Sequence, residues 1–308
     1  MNLHYQFSTI HSSHTIIGVD LGGTKTALAR FSQDSLGMEE ELKIATHAEQ
    51  SFEHVFENLV EAIRKLSNDT TKACGIGVPG LVTQPEGVII TLPNIPGAEG
   101  FSLKKSLSEH LGLPVEVDND ANCFTIAEAF RGAGKGHSVV VGVTLGTGVG
   151  GGIVIDGKIY HGTKGYAGEI GHMLLYPGEP PFRTDNNRGD VEQFLSGRAL
   201  GERCATANDP SDYLKGETCS FMHDDVEREI AWICVNLTHL LDPGIIVFGG
   251  SAGRALESHL EGIKEKLGRW LLPGTPKPQL AVAKLKNSAT LGAALLIKDQ
   301  EHTLWLNG

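Results

Sequence analysis

Apolar residues fall into short blocks separated by glycines, prolines and polar clusters. "TIIGVDLGGTKTALARF", which starts at Thr15, is an apolar run, a glycine turn and an alternating run, and this pattern predicts a β-hairpin. Residues 52–66 repeat their apolar side chains at helical spacing. "ACGIGVPG" and "VEVDND" each predict a short strand, and "ANCFTIAEAFRGAG" predicts a helix that ends at glycines. Because strands and helices alternate, the chain is predicted to have an α/β fold with mixed sheets.

Two glycine turns of the sequence echo each other. "GVDLGGTKTALA" starts at Gly18 and "GVTLGTGVGGGIV" starts at Gly142. In each, a strand ends on a polar residue (Asp20 or Thr144), followed by Leu-Gly, a tight turn and a returning strand. Glycine allows positive φ and close backbone approach, so either turn can aim N–H groups at an anion; a plain tight turn is the alternative. The repeat predicts two related lobes that face each other.

A third glycine pair, Gly249 and Gly250, ends the apolar strand "GIIVFGG" and precedes a predicted helix, "SAGRALESHLEGIKEKL". Ligands of open α/β sheets bind beyond the carboxyl ends of the strands. Three such strand ends predict a nucleotide site, with two at the phosphates and one beside the base or ribose. The sequence has no G-x-x-x-x-G-K-[ST] loop, and "GTGVGG" returns as a strand instead of opening a helix.

Length and composition narrow the class of protein. A chain of 308 residues is long enough for two lobes that share a cleft. The net charge of -11 argues against a partner such as nucleic acid or an anionic membrane. The five cysteines are scattered without a C-x-x-C pair, which predicts reduced thiols and no disulfide framework. The amino terminus lacks the pattern of a secretory signal and no apolar stretch is long enough to span a membrane, so a cytoplasmic protein is expected.

Two aspartates are candidates for phosphoryl-transfer chemistry. Asp120 lies where a strand meets a helix, and the helix amino terminus favours its charged form, as a base requires. The alternative is that Asp118 or Asp120 only caps the helix. Asp20 could hold Mg²⁺, directly or through water, because magnesium keeps waters and uses few carboxylates. Thr24 and Lys25 could add donors to phosphates, unless Lys25 simply faces solvent.

Other polar residues suit a polyhydroxy ligand. In "GYAGEIGHM", Glu169 and His172 share one face if the segment is a helical turn; the pair could be a metal half-site, an acid/base pair or a surface pair. Glu192 follows in "RTDNNRGDVE". Asn94 lies between two prolines in "LPNIPG", where it could equally be a turn residue. Asn, Asp, Glu and His groups in one cleft are what a sugar requires.

Taken together, these segments resemble the ROK family (repressors, open reading frames and sugar kinases). "GVDLGGTKTALA", "GIGVPG", "LPNIPG", "NDAN", "LGTGVGGGIVIDGKIYHG", "GEIGHM", "VFGG" and "SATLGAA" stand in the family's order from about Ile16 to Ile297. The resemblance implies a two-lobed actin-like ATPase (ribonuclease H-like) α/β fold, with mixed β-sheets and a cleft between lobes. It also implies an amino-terminal lobe of residues 1–118 plus 288–308, a carboxy-terminal lobe of residues 119–287, and a homodimer.

The resemblance assigns a role to each candidate residue. Asp120 looks like the catalytic base that takes the proton from a sugar hydroxyl. The residues expected to bind the sugar are Gly80 through its backbone, Asn94, Asn119, Glu169, His172 and Glu192. The residues expected to bind ATP are Asp20, Gly22, Gly23, Thr24, Lys25, Thr144, Gly146, Thr147, Gly148, Gly249 and Gly250, with Asp20 also at Mg²⁺.

One segment departs from the family pattern. Many members carry C-x-C-G-x-x-G-C-x-E, which with the histidine of "GHM" binds structural zinc. Here the cysteine positions hold Arg183, Asp185 and Asp190, whereas Gly189 and Glu192 match. Because closed structural zinc sites prefer thiolates, no structural zinc is expected, and an ion pair of Arg183 with either aspartate is the hypothesis for what holds the loop.

The sequence therefore predicts an ATP-dependent kinase that phosphorylates the 6-hydroxyl of a hexose or N-acetylhexosamine. "FLSGRAL" after Glu192 favours glucose or N-acetylglucosamine over fructose or N-acetylmannosamine. A non-catalytic, sugar-responsive regulator is the alternative of a different class, and polyphosphate is the alternative donor. Only about fourteen residues precede the first glycine turn, too few for the helix-turn-helix domain of family repressors.

Overall fold

The computed structural model describes residues 14–178, 188–207 and 210–301. Its strands are β1 (Thr15–Leu21), β2 (Lys25–Ser32), β3 (Met38–Ala45), β4 (Thr71–Val78), β5 (Leu81–Val82), β6 (Ile89–Thr91), β7 (Val115–Asn119), β8 (Val139–Leu145), β9 (Val149–Ile155), β10 (Lys158–Ile159), β11 (Ile245–Gly249) and β12 (Gln279–Val282). Its α-helices are α1 (Phe52–Leu66), α2 (Leu103–Leu111), α3 (Asp120–Arg131), α4 (Glu192–Leu195), α5 (Gly197–Arg203), α6 (His223–Leu241), α7 (Gly250–Ala255), α8 (Leu260–Trp270) and α9 (Ser288–Glu301).

The strands form two five-stranded mixed sheets of matching design, plus a small β5–β6 pair. The first sheet has the order β3-β2-β1-β4-β7 and the second has the order β10-β9-β8-β11-β12. In each, an antiparallel hairpin (β1–β2 or β8–β9) continues through parallel strands. The predicted hairpins and mixed sheets are confirmed.

Apolar side chains form three buried clusters. One lies between the first sheet and helices α1 and α2, and a second lies between the second sheet and α6 to α8. The third includes residues of both sheets together with α3 and α9. The helices α3 and α9 therefore connect the two sheets.

The two similar glycine segments, which start at Gly18 and Gly142, also share a packing feature. A Cβ added to Gly18 on β1 would lie 1.9 Å from the carbonyl oxygen of Thr290 on α9. A Cβ added to Gly142, its counterpart on β8, would lie 2.1 Å from the hydroxyl of Thr125 on α3. Each echoed glycine thus lets one of the two central helices pack against its hairpin strand.

Two elements differ from the sequence-based expectation. Strand β3 was not predicted, because its sequence "MEEELKIA" is mostly charged and its residues are largely exposed at the sheet edge. The acidic side chains suit an edge strand, which must resist pairing with another chain. The helix predicted after Gly250 is present, but it is interrupted by a 3-10 segment at Leu256–His259.

The prediction that no cysteines form a disulfide is wrong. Cys204 at the end of α5 and Cys219 before α6 form one, with a Cα separation of 5.9 Å across 15 residues of chain. Spacing in sequence could not show that the ends of two helices meet here. The other three cysteines (Cys74, Cys123 and Cys234) are free and buried.

Expectations about the amino terminus lie partly outside the described residues. Residues 1–13, which contain most of the segment examined for a secretory signal, are not among them. Across the three described ranges, no helix combines the length and apolar character needed to cross a bilayer.

Candidate active site

The carboxyl ends of β1, β4 and β7 place the two candidate aspartates together. Asp20 on β1 is in parallel register with Gly77 on β4, and Val78 is in register with Asn119 on β7. Asp120 follows Asn119 as the first residue of α3. A Cβ on Gly77 would lie 3.5 Å from the Cα of Asp120, so β4 brings the start of α3 close to Asp20.

The pKa values of both aspartates are raised above the usual value for aspartate. Burial raises the pKa of Asp20 to about 6. Burial, and next the nearby Asp20 carboxylate, raise the pKa of Asp120 to about 7, while backbone N–H groups of the first turn of α3 oppose the shift. The helix terminus favours the charged form of Asp120, as expected, but desolvation and a like charge outweigh this effect. A carboxyl group that titrates near neutral pH suits a general base.

Asn119, and neither neighbouring aspartate, caps α3. Its side-chain oxygen accepts the N–H groups of Ala121 (2.8 Å) and Asn122 (3.3 Å). Its amide nitrogen donates to the carbonyl oxygen of Gly80 at 3.0 Å, and the Gly80 N–H donates to Val78. The two residues therefore orient the α3 terminus, and the amide of Asn119 keeps one N–H for a ligand.

The sequence offered Asp118 only as a candidate helix cap and did not single out His161, yet the two residues form a pair next to the site. Asp118 is buried; one carboxylate oxygen accepts the Asn119 N–H (2.7 Å) and the Asn122 side-chain N–H (2.9 Å). Its other oxygen lies 2.6 Å from Nε2 of His161, which follows β10 of the second sheet. This pair joins the two sheets two residues before Asp120 in the chain, and only tertiary structure reveals it.

Three residues predicted to bind the sugar, Glu169, His172 and Glu192, lie close together. Glu169 and His172 were expected to share one face of a helical turn. The segment Ile170–His172 is a 3-10 turn, and Nε2 of His172 lies 4.0 Å from a carboxylate oxygen of Glu169. Burial raises the pKa of Glu169. The neighbouring His172 acts to lower this pKa, and the charge of Glu192 acts to raise it. Glu192 also accepts the N–H of Val149 at 2.9 Å, so it contacts the second glycine turn.

Hydrogen bonds hold the described part, from residue 188 onward, of the segment "RTDNNRGDVE". The side-chain oxygen of Gln193 accepts the N–H groups of Gly189 (2.7 Å) and Asp190 (3.4 Å). The Asp190 carboxylate lies 3.2 Å from Nδ1 of His172 and 3.7 Å from Nε of Arg188. Arg183 and Asp185 lie outside the described residues, so the ion pair expected of Arg183 stays a prediction. Among the residues that are described, no three His, Cys, Asp or Glu side chains are grouped so that they could hold a metal ion.

The first glycine turn follows Asp20 and Leu21. The backbone N–H of Gly22 donates to the carbonyl oxygen of Lys25 (3.1 Å), and this hydrogen bond closes the turn. The Cβ of Asn94 lies 2.6 Å from where a Cβ on Gly23 would be, so the "LPNIPG" loop borders the turn. Thr24 and Lys25 are exposed beside it.

The second and third glycine segments are adjacent. Thr144 is in parallel register with Gly249, and Gly250 has φ 77°. A Cβ at Gly250 would lie 2.2 Å from the carbonyl oxygen of Leu145, so only glycine fits there. Gly146 accepts the Gly197 N–H at 2.7 Å, and a Cβ at Gly148 would meet the Glu192 carboxylate at 2.5 Å. Thr147 is exposed at the tip of the turn.

The structure has two sheets of matching design, each with a hairpin that carries a glycine turn, and the helices α3 and α9 connect the two sheets. The acidic residues Asp20 and Asp120 lie near the first of these turns. These features define the class: a two-lobed α/β protein with the actin-like ATPase fold. The chain belongs to the ROK family, whose model its residues 16–300 match.

Relatives and solved structures cover nearly the whole chain. The N-acetyl-D-glucosamine kinase of Photobacterium profundum is 32% identical over 300 residues, which are 91% of this chain and 98% of that protein. The ROK hexokinase of Thermus thermophilus has a TM-score of 0.79 at 31% identity, covering 93% of this chain and 99% of that one. A ROK family glucokinase from Streptomyces griseus in complex with glucose and AMPPNP has a TM-score of 0.77 at 29% identity, covering 92% and 98%.

Proposed function

We propose that this protein is an ATP-dependent sugar kinase that phosphorylates the 6-hydroxyl of a hexose or N-acetylhexosamine, with glucose or N-acetylglucosamine favoured. The observation that carries the proposal is Asp120, a partly buried carboxyl group with a pKa of about 7, at the junction of strand ends bordered by glycine turns. The names of the relatives above, a sugar kinase in each case, support the substrate class.

Asp120 is proposed to accept the proton of the attacking 6-hydroxyl. Phosphoryl transfer needs little covalent chemistry, so positioning and one well-placed base supply much of the catalysis. Glu169, His172 and Glu192 bind sugar hydroxyls on one side. The proposed contacts on the other side are Asn94, Asn119 and the backbone of Gly80.

The phosphoryl donor fits the glycine turns. The first turn (Asp20, Gly22, Gly23, Thr24 and Lys25) and the second (Thr144, Gly146, Thr147 and Gly148) are proposed to bind the phosphates of ATP. Gly249 and Gly250 contact its adenosine. The lack of room for a Cβ at Gly250, against the backbone of Leu145, keeps the third glycine segment packed beside the second turn.

Asp20 fits a Mg²⁺ site. Its carboxyl group is partly buried, and no ion pair involves it within the part of the chain that the structure describes, so a cation would relieve the cost of ionising it. Asp20 would hold Mg²⁺ directly or through water, and the bound ion would neutralise phosphate charge.

An ADP-release assay over a sugar panel tests the activity. Glucose and N-acetylglucosamine are expected to give the highest kcat/KM, above N-acetylmannosamine and fructose. The Asp120→Asn variant is the matched control, because it keeps the shape of the side chain and removes the base. Sugar binding without ATP turnover, or full turnover with polyphosphate alone, would contradict the proposal.

The lobes are proposed to divide at Asn119, with residues 1–118 and 288–308 in one lobe and residues 119–287 in the other. The packing of α9 on β1 and of α3 on β8 and β9 supports this division. Closure of the lobes over the sugar would exclude water and so limit ATP hydrolysis.

A homodimer and a cytoplasmic location are further parts of the proposal. Leu240 (76% exposed), Leu272 (65% exposed) and Trp270 (41% exposed) are apolar side chains at the ends of α6 and α8 that a second copy could cover. Light scattering coupled to size exclusion tests the dimer. ATP as donor favours the cytoplasm, although the Cys204–Cys219 disulfide is unusual there.

A further inference from the structure

Thr46, the residue after β3, contacts the first glycine turn with its side chain. Its hydroxyl is buried and donates to the carbonyl oxygen of Gly22 at 2.7 Å. The hydroxyl of Thr26 lies 2.8 Å from that of Thr46. Because a carbonyl oxygen can only accept, the Thr46 hydroxyl gives its proton to Gly22, and Thr26 therefore donates to Thr46.

The backbone of Thr46 contacts the same turn from the same side. Its N–H donates to the carbonyl oxygen of Thr24 at 3.0 Å. The turn also closes on itself through Gly22 and Lys25. Two carbonyl groups of the turn, at Gly22 and Thr24, are thus bound to one residue that lies outside the hairpin.

This arrangement leaves donors available. Within the described residues, the backbone N–H groups of Gly23 and Thr24 make no hydrogen bond to protein. Successive backbone N–H groups in a turn form the kind of concavity that binds anions. Gly23 is only partly buried and Thr24 is exposed, so a ligand can reach both.

We propose that Thr46 is a positioning residue for the phosphoryl donor. Its hydroxyl holds the Gly22 carbonyl, which shares a peptide plane with the Gly23 N–H, and its own N–H holds the Thr24 carbonyl. The turn is thus fixed at two points in the shape that leaves the N–H groups of Gly23 and Thr24 available to the phosphates. The inference rests on the proposed function only in naming ATP as the anion. Thr46 touches the turn and acts through it.

The Thr46→Val variant isolates the hydroxyl, because valine keeps the shape and the backbone N–H. It leaves the partly buried Gly22 oxygen and the buried Thr26 hydroxyl without their partner, so we expect ATP to bind about five- to tenfold more weakly. The affinity for a non-hydrolysable ATP analogue, measured by titration calorimetry, and the KM for ATP should change together. The KM for the sugar should stay within twofold of the wild type, and Thr46→Ser should restore ATP binding.

Thr71→Val is the matched control. Thr71 is also a buried threonine of the first sheet. Its hydroxyl lies 3.1 Å from the hydroxyl of Thr15 and 3.1 Å from the side-chain oxygen of Asn68. It pairs with Thr15 at the start of β1, the end opposite the turn. A similar loss of thermal stability in both variants, with weaker analogue binding in Thr46→Val alone, supports a positioning role.

Two outcomes overturn the inference. One is unchanged analogue binding in Thr46→Val, and the other is an equal loss of sugar and analogue affinity, which would indicate a general structural role. The proposed function fails separately: a wild-type protein that binds the analogue but phosphorylates no sugar would refute the kinase proposal and still leave the Thr46 comparison decisive. A wild type that binds no analogue at all would refute both.

Discussion

Asp20 and Asp120 are two partly buried carboxyl groups whose surroundings disfavour ionisation. No ion pair of either appears within the described residues; desolvation raises the pKa of both, and the charge of Asp20 raises that of Asp120 further. A structural carboxylate would normally be paired or exposed. At the residue scale, this cost is the strongest physical argument that the two groups are retained for chemistry.

Replacing Asp120 by asparagine should reduce activity and raise stability. The folded state raises the pKa of Asp120 from 3.8 to about 7, so it binds a proton more tightly than the unfolded chain does. The contribution of Asp120 to stability is therefore lost as pH rises from about 4 through about 7. Asp120→Asn should lower kcat by roughly 10²- to 10⁴-fold and raise Tm by several degrees at pH 8 and by less at pH 5.

Thermal unfolding of Asp224→Asn provides the control for that comparison. Asp224 is exposed, and the hydrogen bond from Lys266 lowers its pKa, so its removal should not stabilise the protein at pH 8. A Tm for Asp120→Asn that falls below the wild-type Tm at pH 8 would contradict the burial of an ionisable Asp120.

The pH dependence of kcat/KM should report the same group. The base must be deprotonated, so kcat/KM is expected to fall about tenfold per pH unit once pH drops below about 7. The residual rate of Asp120→Asn should lack this acidic limb. A wild-type profile that stays flat between pH 5 and pH 8 would exclude Asp120 as the titrating base.

At the element scale, the disulfide joins α5 to the segment before α6. The Arg203–Glu229 ion pair (2.7 Å) joins the same two helices, and α5 begins at Gly197, which donates to the second glycine turn. Closing a loop of this length contributes about 3 kcal/mol by restricting the unfolded chain. The Cys204→Ser/Cys219→Ser double variant should therefore have a lower free energy of unfolding than the wild type.

Denaturant unfolding with and without a thiol reductant measures that difference. Reductant should lower the midpoint of the wild type to that of the double variant and leave the variant unchanged. The other three cysteines are free and buried in the folded protein and are present in both the wild type and the double variant, so they do not account for a difference between the two. Identical midpoints in all four conditions would show that the bond contributes nothing.

The loop before α4 should keep its shape without zinc. Gln193 and the His172–Asp190 pair hold its described part, and aspartate replaces a thiolate at Asp190. We expect less than one zinc per chain in purified protein and a Tm that does not change on addition of a chelator. Stoichiometric zinc, or a Tm that falls with chelator, would contradict this prediction.

The elements show how far sequence patterns reach. Hairpin β1–β2, helix α1 and the turn containing Glu169 and His172 follow from local periodicity and glycine placement, which the sequence displays directly. Strand β3 has charged edge residues with little apolar signal, and the disulfide depends on two helix ends meeting. Contacts such as Asp118–His161 and Thr46–Gly22 join distant segments, so only the assembled sheets reveal them.

At the scale of the whole molecule, two similar sheets present their glycine turns to one acidic cluster. The first turn carries Asp20, the second contacts Glu192, and Asp120 begins the helix α3 that packs against both sheets. Under the proposed function, in-line transfer would place the attacking and leaving oxygens on opposite sides of the γ-phosphorus, with Asp120 beside the attacking hydroxyl.

The most direct test of the account is transfer of phosphate to one hydroxyl. Purified protein, ATP and Mg²⁺ would be mixed with glucose, N-acetylglucosamine or 6-deoxyglucose, and the products identified by phosphorus NMR. The account predicts 6-phosphates from the first two sugars, no phosphorylation of 6-deoxyglucose, and at most a trace of product with Asp120→Asn. Phosphorylation of 6-deoxyglucose, or wild-type rates in Asp120→Asn, would contradict it.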